Sequence, residues 1–178
     1  MEIVDLIGAL PVHPTRTYPE RPLSRLVRLT MHHTAGRRLT RPTSQQTVEQ
    51  IARFHATSDY LKVGGAPGIA YHYVIGPEGR VFKCWPARTI TWCVKGMNTG
   101  SLCVALIGNF EVEEPTSKQW DAAVHLCRNL RVGYGLLSIQ GHREVLPGHT
   151  VCPGRMVSML DFRRAVEGHP KGKEGTDT

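Results

Sequence analysis

The chain has 178 residues, 40% of them hydrophobic, so it can bury the core of one compact domain and is short for two. Its formal net charge is +7, but the Lys and Arg residues are scattered and no nucleic-acid-binding motif accompanies them, which argues against a nucleic-acid-binding protein. No apolar run approaches the thickness of a bilayer, so we expect no membrane insertion.

The segment up to Pro22 is rich in proline and in short polar pieces, which predicts an irregular N-terminal arm over residues 1–25. Residues 1–5 do not begin a cationic stretch followed by an apolar one. We therefore expect no secretory signal and synthesis in the cytoplasm.

The first predicted strand is Leu26–His33, which is rich in β-branched and apolar residues and ends in polar ones. Strand alternation puts Thr30 and His32 on one face of the sheet, and Met31 and His33 on the other.

A helix follows, and Thr43 or Ser44 can cap its first turn. Its apolar residues recur at helical spacing: Val48, Ile51, Ala52 and Phe54. The Gly/Pro-rich loop Gly64–Gly68 ends this element.

Ile69–Ile75 and Arg80–Cys84 flank Gly76–Gly79, which has the length and turn chemistry of a hairpin loop. Cys103–Gly108 is a continuous apolar run, as expected of a central strand buried on both faces.

The second helix is predicted from Thr116–Gln119, which fits a capping box, and from the apolar stripe behind it: Trp120, Ala123, Val124, Cys127 and Leu130. Leu136–Gln140 favours another strand, and Met156–Val166 another helix that Gly168 ends. Alternating strands and helices indicate an α/β class, with a central mixed β-sheet flanked by helices. We assign residues 26–167 to this single domain and residues 168–178 to a disordered tail.

The five cysteines are an odd number without the regular spacing of a disulfide scaffold: Cys84, Cys93, Cys103, Cys127 and Cys152. Three of them lie in apolar runs, which predicts that most are reduced core residues.

His32 ends a predicted strand, His142 follows another, and Cys152 lies in a Gly/Pro-flanked loop. Two imidazoles and a thiolate suit Zn²⁺ and leave its fourth tetrahedral position open, as catalytic sites require. No short metal-binding motif joins these residues, so spacing alone leaves coincidence open.

Four blocks of sequence resemble the type 2 N-acetylmuramoyl-L-alanine amidases, which include phage amidase lysins and peptidoglycan recognition proteins. These blocks are Met31–Gly36, Ala70–Ile75, Asn98–Asn109 and Gly141–Gly154, and they occur in the order of the family. The resemblance runs from about residue 26 to residue 166 and implies the fold of that family.

The resemblance implies that His32, His142 and Cys152 hold the zinc ion. It places Tyr71 beside the metal, where a phenol can hydrogen-bond the developing oxyanion, and Thr150 where relatives carry lysine or threonine. The implied chemistry is metal-assisted hydrolysis of the lactyl amide of peptidoglycan.

Asn98 matches a groove residue near the substrate, and Cys93 takes a position where relatives commonly have histidine, so both are candidate substrate-binding residues. A purely structural role stays open for three of these residues. Tyr71 could pack as an ordinary strand aromatic, Thr150 could bond its own backbone, and Asn98 could serve a turn.

The other polar residues near these motifs divide into two groups. Alternation turns His33 and His72 away from the site, which predicts core or supporting roles for them. Arg143 and His149 could either support the ligands or lie in a solvated loop.

Three other functions compete with the amidase. A recognition module would hold peptidoglycan without cutting it. A cysteine hydrolase would use Cys152 with His142 as its base, leaving His32 and Tyr71 without a role. A nucleic-acid-binding protein would need a charged or aromatic face that the sequence lacks.

The resemblance favours a phage or prophage endolysin that is made in the host cytoplasm and acts on the cell wall after release, although a bacterial relative fits as well. We expect bacterial peptidoglycan as its partner, no nucleic acid, and a monomer.

Overall fold

The computed structural model describes residues 2–36, 43–59, 64–135 and 137–168. The strands are β1 (Ile3–Asp5), β2 (Arg28–His33), β3 (Tyr73–Ile75), β4 (Val81–Lys83), β5 (Ser101–Leu106) and β6 (Ser138–Gly141). The α-helices are α1 (Ser44–Thr57), α2 (Ser117–Tyr134), α3 (His142–Val145) and α4 (Met159–Glu167). The predicted α/β domain with a mixed sheet and flanking helices is confirmed.

The six strands form one sheet in the order β1-β4-β3-β5-β2-β6. β3 and β4 form the predicted antiparallel hairpin, and the other neighbouring strands run parallel. Every residue of β5 is buried, as its apolar run predicted, because strands lie on both sides of it and helices cover the sheet.

The alternation predicted for β2 divides its side chains between two core clusters. Met31 packs with α2 and α4 in the larger cluster, which includes Cys127 and Phe162. On the opposite face, Ala105, the partner of His32 in β5, belongs to a second cluster beneath α1. His32 therefore lies on the α1 side of the sheet.

The two long helices start at the predicted caps. Thr43 and Gln46 form a full capping box on α1. On α2, Thr116 accepts a hydrogen bond from the backbone N–H of Gln119 at 3.1 Å, but the Gln119 side chain does not return it. That amide is buried and donates to the carbonyls of Ile75 and Ile107, at 2.8 and 3.0 Å, which close the ends of β3 and β5. The predicted box on α2 is thus only half formed.

Two elements at the ends of the domain differ from the sequence prediction. The opening segment is not wholly irregular, because β1 pairs with β4 at the edge of the sheet. A strand of three residues is too short to show an alternating pattern. α4 begins at Met159 because Ser158 caps it, and Gly168 ends it in the left-handed conformation as predicted.

The start of β6 was predicted at Leu136, which lies outside the described residues, as does the tail beyond Gly168. Within the described ranges, no helix has both the length and the apolar character needed to cross a bilayer.

Candidate metal centre and groove

The three predicted metal ligands converge at the carboxyl end of the sheet. β2 and β6 are parallel neighbours, so His32 near the end of β2 and His142 directly after β6 meet at one edge. Cys152 reaches the same edge from the loop before α4. The donor atoms of the three residues lie within 4.8 Å of one another.

The geometry fits a tetrahedral zinc ion. Zinc bonds of about 2.3 Å to sulfur and 2.0–2.1 Å to nitrogen place two ligand atoms about 3.6 Å apart. The Cys152 Sγ atom lies 3.6 Å from His32 Nδ1. The rings of His32 and His142 are neighbours, with centroids 4.6 Å apart.

Burial puts both histidines in the form that binds metal. His32 is 2% exposed, and this burial, followed by the neighbouring His142, lowers its pKa well below the usual 6.5. Burial also lowers the pKa of His142. Both imidazoles are therefore neutral at pH 7.

Burial raises the pKa of the Cys152 thiol to about 12, so without a metal this residue carries its proton at neutral pH. Binding of a metal must displace that proton.

Arg143, left open by the sequence, holds the loop that carries Cys152. Its guanidinium donates to the carbonyls of Gly154 and Val157 at 2.7 and 2.8 Å. Its backbone N–H donates to the carbonyl of Cys152 at 2.7 Å. Gly154 has a φ of 101°, and a Cβ there would meet the Phe110 carbonyl carbon at 2.5 Å, so this turn needs glycine.

His33 supports the same loop from β2. Its backbone N–H donates to Cys152 Sγ at 3.4 Å, and its Nδ1 accepts from the N–H of Phe110 at 3.2 Å. The Glu144 carboxylate fixes α3, because it accepts from the N–H of Gly141 at 2.8 Å and pairs with Arg163 at 2.9 Å. The ligand positions are thus set by hydrogen bonds beyond the ligands themselves.

A groove of about 790 Å³ opens over the three ligands. Tyr71, just before β3, lines it with its ring centroid 5.3 Å from that of His32. Thr150 also lines it, and its hydroxyl oxygen accepts from the N–H of Cys152 at 3.1 Å, which leaves the hydroxyl proton available to donate. His149 lines the groove from an exposed position.

One wall of the groove is built from residues 92–98, where the two predicted substrate-binding residues lie. The Asn98 Oδ1 atom accepts from the N–H of Val94 at 2.7 Å, so this oxygen serves the turn. Cys93 is bonded to Cys103 in a disulfide with Cα atoms 6.5 Å apart.

Most of the cysteines are reduced, as predicted, since Cys84, Cys127 and Cys152 are free and buried, whereas Cys93 and Cys103 form a disulfide that was not predicted. The pairing depends on how the loop at residue 93 folds against β5. The sequence does not reveal that contact.

Arg21 anchors this wall, although nothing in the sequence singled it out. It is 4% exposed and donates to the carbonyls of Ala87, Asn98 and Thr99 at distances between 2.8 and 3.2 Å. These bonds tie the N-terminal segment to the loop that ends in Asn98.

His72 lies at the centre of the same network and is fully buried, in keeping with its predicted supporting role. Its Nδ1 accepts from the N–H of Cys103 at 3.0 Å, so Nε2 carries the proton and donates to the carbonyl of Thr89 at 2.8 Å. Burial, and then the charge of Arg21, lower the pKa of His72 to about 3.

His55 is a groove residue that sequence reasoning missed, because a single histidine on an amphipathic helix gives no signal of a site. Its ring lies 5.7 Å from that of Tyr71, and its Nδ1 accepts from the N–H of Ala70 at 3.1 Å. Burial lowers its pKa to about 4. It therefore helps to orient the segment that carries Tyr71.

Residues 23–155 match the family described as N-acetylmuramoyl-L-alanine amidase. The chain is 32% identical to peptidoglycan-recognition protein SD of Drosophila simulans over 148 residues, covering 79% of this chain and 73% of that protein. It is 29% identical to the endolysin of Klebsiella phage KP32 over 119 residues, covering 64% of this chain and 74% of the endolysin. Its structure resembles the Ph2119 endolysin of a Thermus scotoductus bacteriophage, with a TM-score of 0.68, 27% identity and coverage of 93% and 99% of the two chains. The chain belongs to the N-acetylmuramoyl-L-alanine amidase family.

Proposed function

We propose that this protein is a zinc-dependent N-acetylmuramoyl-L-alanine amidase. It hydrolyses the amide bond between N-acetylmuramic acid and L-alanine in bacterial peptidoglycan. The observation that carries this proposal is the convergence of His32, His142 and Cys152 at the floor of a groove, with donor atoms within 4.8 Å of one another.

His32, His142 and Cys152 would hold the zinc ion. When bound, the zinc supplies a Lewis acid that polarises the scissile carbonyl and acidifies water. Tyr71 lines the groove beside His32 and donates a hydrogen bond to the oxyanion that forms on that carbonyl. Thr150 directs its hydroxyl proton to the same oxyanion from the Cys152 loop.

The wall formed by residues 92–98 binds the sugar and stem peptide. Lys95 and Asn98 line this wall, and the ammonium of Lys95 is exposed to the groove, where it can pair with a carboxylate of the stem peptide. The net charge of +7 favours approach to a polyanionic wall.

The role we propose is that of a phage or prophage endolysin, made in the host cytoplasm and acting on the wall after release. Similarity to two phage endolysins supports it.

Two other functions compete, and the site argues against one of them. A hydrolase with Cys152 as nucleophile needs a thiolate, whereas burial raises the pKa of this thiol to about 12. A non-catalytic peptidoglycan-binding module stays as the alternative, because several relatives are named as recognition proteins. The presence of all three ligands favours catalysis.

The test is release of soluble muropeptides and of new L-alanine amino termini from purified peptidoglycan. We expect cleavage by the zinc-loaded protein, loss of cleavage after chelation, and recovery when zinc is restored. Cys152→Ala should abolish cleavage, whereas Cys127→Ala, which removes a buried thiol from α2, should leave it.

Two results would overturn the proposal. Sedimentation with peptidoglycan without new amino termini would identify a recognition module. Cleavage that survives chelation would exclude a zinc mechanism.

A further inference from the structure

The disulfide-bonded cysteines lie directly beside the candidate metal centre. The donor atoms of Cys93, Cys103 and His32 lie within 4.8 Å of one another, and all three residues are buried. His32 thus belongs to two clusters of ligand atoms at once. The first contains His142 and Cys152, and the second contains the two cysteines.

The sheet fixes this second cluster. In the β2–β5 ladder, Cys103 pairs with Thr30 and Ala105 pairs with His32, so Cys103 and His32 are diagonal neighbours on one face. The backbone N–H of Cys103 is held by His72 Nδ1 at 3.0 Å. Only Cys93 comes from a loop, and it lines the groove, from which a reductant can reach it.

The two nitrogens of the His32 ring have different surroundings. Nδ1 lies 3.6 Å from Cys152 Sγ. Nε2 is buried, and neither it nor the buried hydroxyl of Thr30 has a hydrogen-bond partner among the described residues. A histidine that binds metal usually donates its other N–H to a carbonyl, a carboxylate or water. An unpaired buried nitrogen, on a ring that has a donor atom within 4.8 Å of two sulfurs, points to a ligand.

We propose that, when the Cys93–Cys103 disulfide is reduced, the two thiols and His32 Nε2 form a second site for a soft divalent metal such as Zn²⁺. The disulfide prevents this, because it holds the sulfurs about 2.05 Å apart, whereas two sulfurs on one tetrahedral zinc are about 3.8 Å apart. The disulfide form leaves His32 to the catalytic set.

Reduction therefore withdraws His32 from that set. A neutral imidazole has one unprotonated nitrogen, so His32 can bind a metal through Nδ1 or through Nε2 but not through both at once. Two thiolates and an imidazole make a softer set than one thiolate and two imidazoles, so the metal moves to the cysteine pair. The loss of amidase activity that follows rests on the function proposed above, whereas the metal site does not.

The chemistry needs a reductant, either a dithiol or a phosphine. The S–S bond accepts two electrons and two protons and becomes two thiols, while the dithiol becomes a disulfide. A phosphine instead becomes its oxide and takes the oxygen atom from water. Binding of the metal at the second site then releases one proton from each of the two thiols, and Cys152, which has lost the metal, takes up one proton.

The test uses Co²⁺ in place of zinc, because the near-ultraviolet thiolate-to-cobalt absorption scales with the number of thiolate ligands. A phosphine reductant is used because it does not compete for the metal as a dithiol does. In the full chain with the disulfide intact, we expect one cobalt and the absorption of one thiolate. After reduction we expect one cobalt still, with about twice that absorption.

Two variants separate the sites. Cys152→Ser should show no thiolate absorption while the disulfide is intact, and the absorption of two thiolates after reduction. The double variant Cys93→Ser/Cys103→Ser should show the absorption of one thiolate under both conditions. Far-ultraviolet circular dichroism checks that each variant is folded, and Cys152→Ser tests the proposal even if the double variant does not fold.

Unchanged absorption on reduction of both the unsubstituted protein and Cys152→Ser would overturn the proposal. So would a second cobalt bound per chain, since His32 would then not have been withdrawn. Because this readout needs no peptidoglycan, failure of the proposed amidase activity would leave it unaffected.

Discussion

The Nδ1 atom of His32 lies 3.6 Å from the Sγ atom of Cys152, the separation expected for two ligands of one tetrahedral zinc ion. The two side chains reach each other because β2 ends at the edge of the sheet where the loop before α4 returns. Hydrogen bonds from Arg143 and His33 hold that loop, so the pair is set before any metal arrives.

Zinc affinity should depend on the proton of Cys152. Burial raises the pKa of this thiol to about 12, whereas the histidines are already neutral, so Cys152 is the ligand whose proton competes with zinc. Raising the pH by one unit weakens this competition about tenfold. Cys152→Asp supplies a ligand that is ionised throughout pH 6–9. In competition with a chelator, the slope of log affinity against pH should be about one unit greater for the unsubstituted protein. Equal slopes would contradict this prediction.

Tyr71→Phe should lower kcat on peptidoglycan about 100-fold while zinc content stays the same. The ring that packs beside His32 is kept, and only the hydroxyl proposed to stabilise the oxyanion is removed. Zinc analysis and steady-state kinetics on the same preparation check both statements. A variant that loses zinc together with activity would show that Tyr71 acts on the metal site and not on the oxyanion.

Stability should fall with acid because of His72. Its folded pKa is about 3 against 6.5 unfolded, so the unfolded chain binds the extra proton and stability is full only above about pH 6.5. Between pH 6 and pH 4 this residue should lower the free energy of unfolding by about 1.4 kcal/mol for each unit that the pH falls. Urea unfolding of His72→Asn, which keeps an acceptor for the N–H of Cys103, should show a shallower dependence on pH. Parallel curves for the two proteins would refute this.

Arg21→Lys should destabilise the fold by about 2–4 kcal/mol, because an ammonium cannot reach all of the buried carbonyls that the guanidinium satisfies. Arg164→Lys, an exposed position in α4, is the matched control and should be near neutral. Denaturant unfolding measures both. If the two variants were equally stable, Arg21 would not be an anchor.

Pattern alone predicted the elements with strong periodicity. β5 and the apolar stripe of α2 were evident because each buries many residues in a regular pattern. β1 was missed because three residues cannot show a period. The capping box on α2 was half wrong because the Gln119 amide satisfies two buried carbonyls instead of its own cap.

The site was predicted less from spacing than from resemblance. Nothing local joins His32 to Cys152, and only the four family blocks identified them as partners before the structure brought them together. Arg21, His55 and the Cys93–Cys103 pair escaped prediction, because each acts through a long-range contact that leaves no periodic or motif signal.

The anchoring of the groove wall by Arg21 also bears on where this domain can be cut for use in a fusion protein. The stretch that matches the family begins at residue 23 and ends at residue 155. A fusion protein cut to those limits would discard Arg21 at one end, and at the other Phe162, which is wholly buried in the larger core cluster. It would keep every proposed ligand and lose the supports around them. The segment to transfer is therefore the whole span from β1 to Gly168, the C-cap of α4.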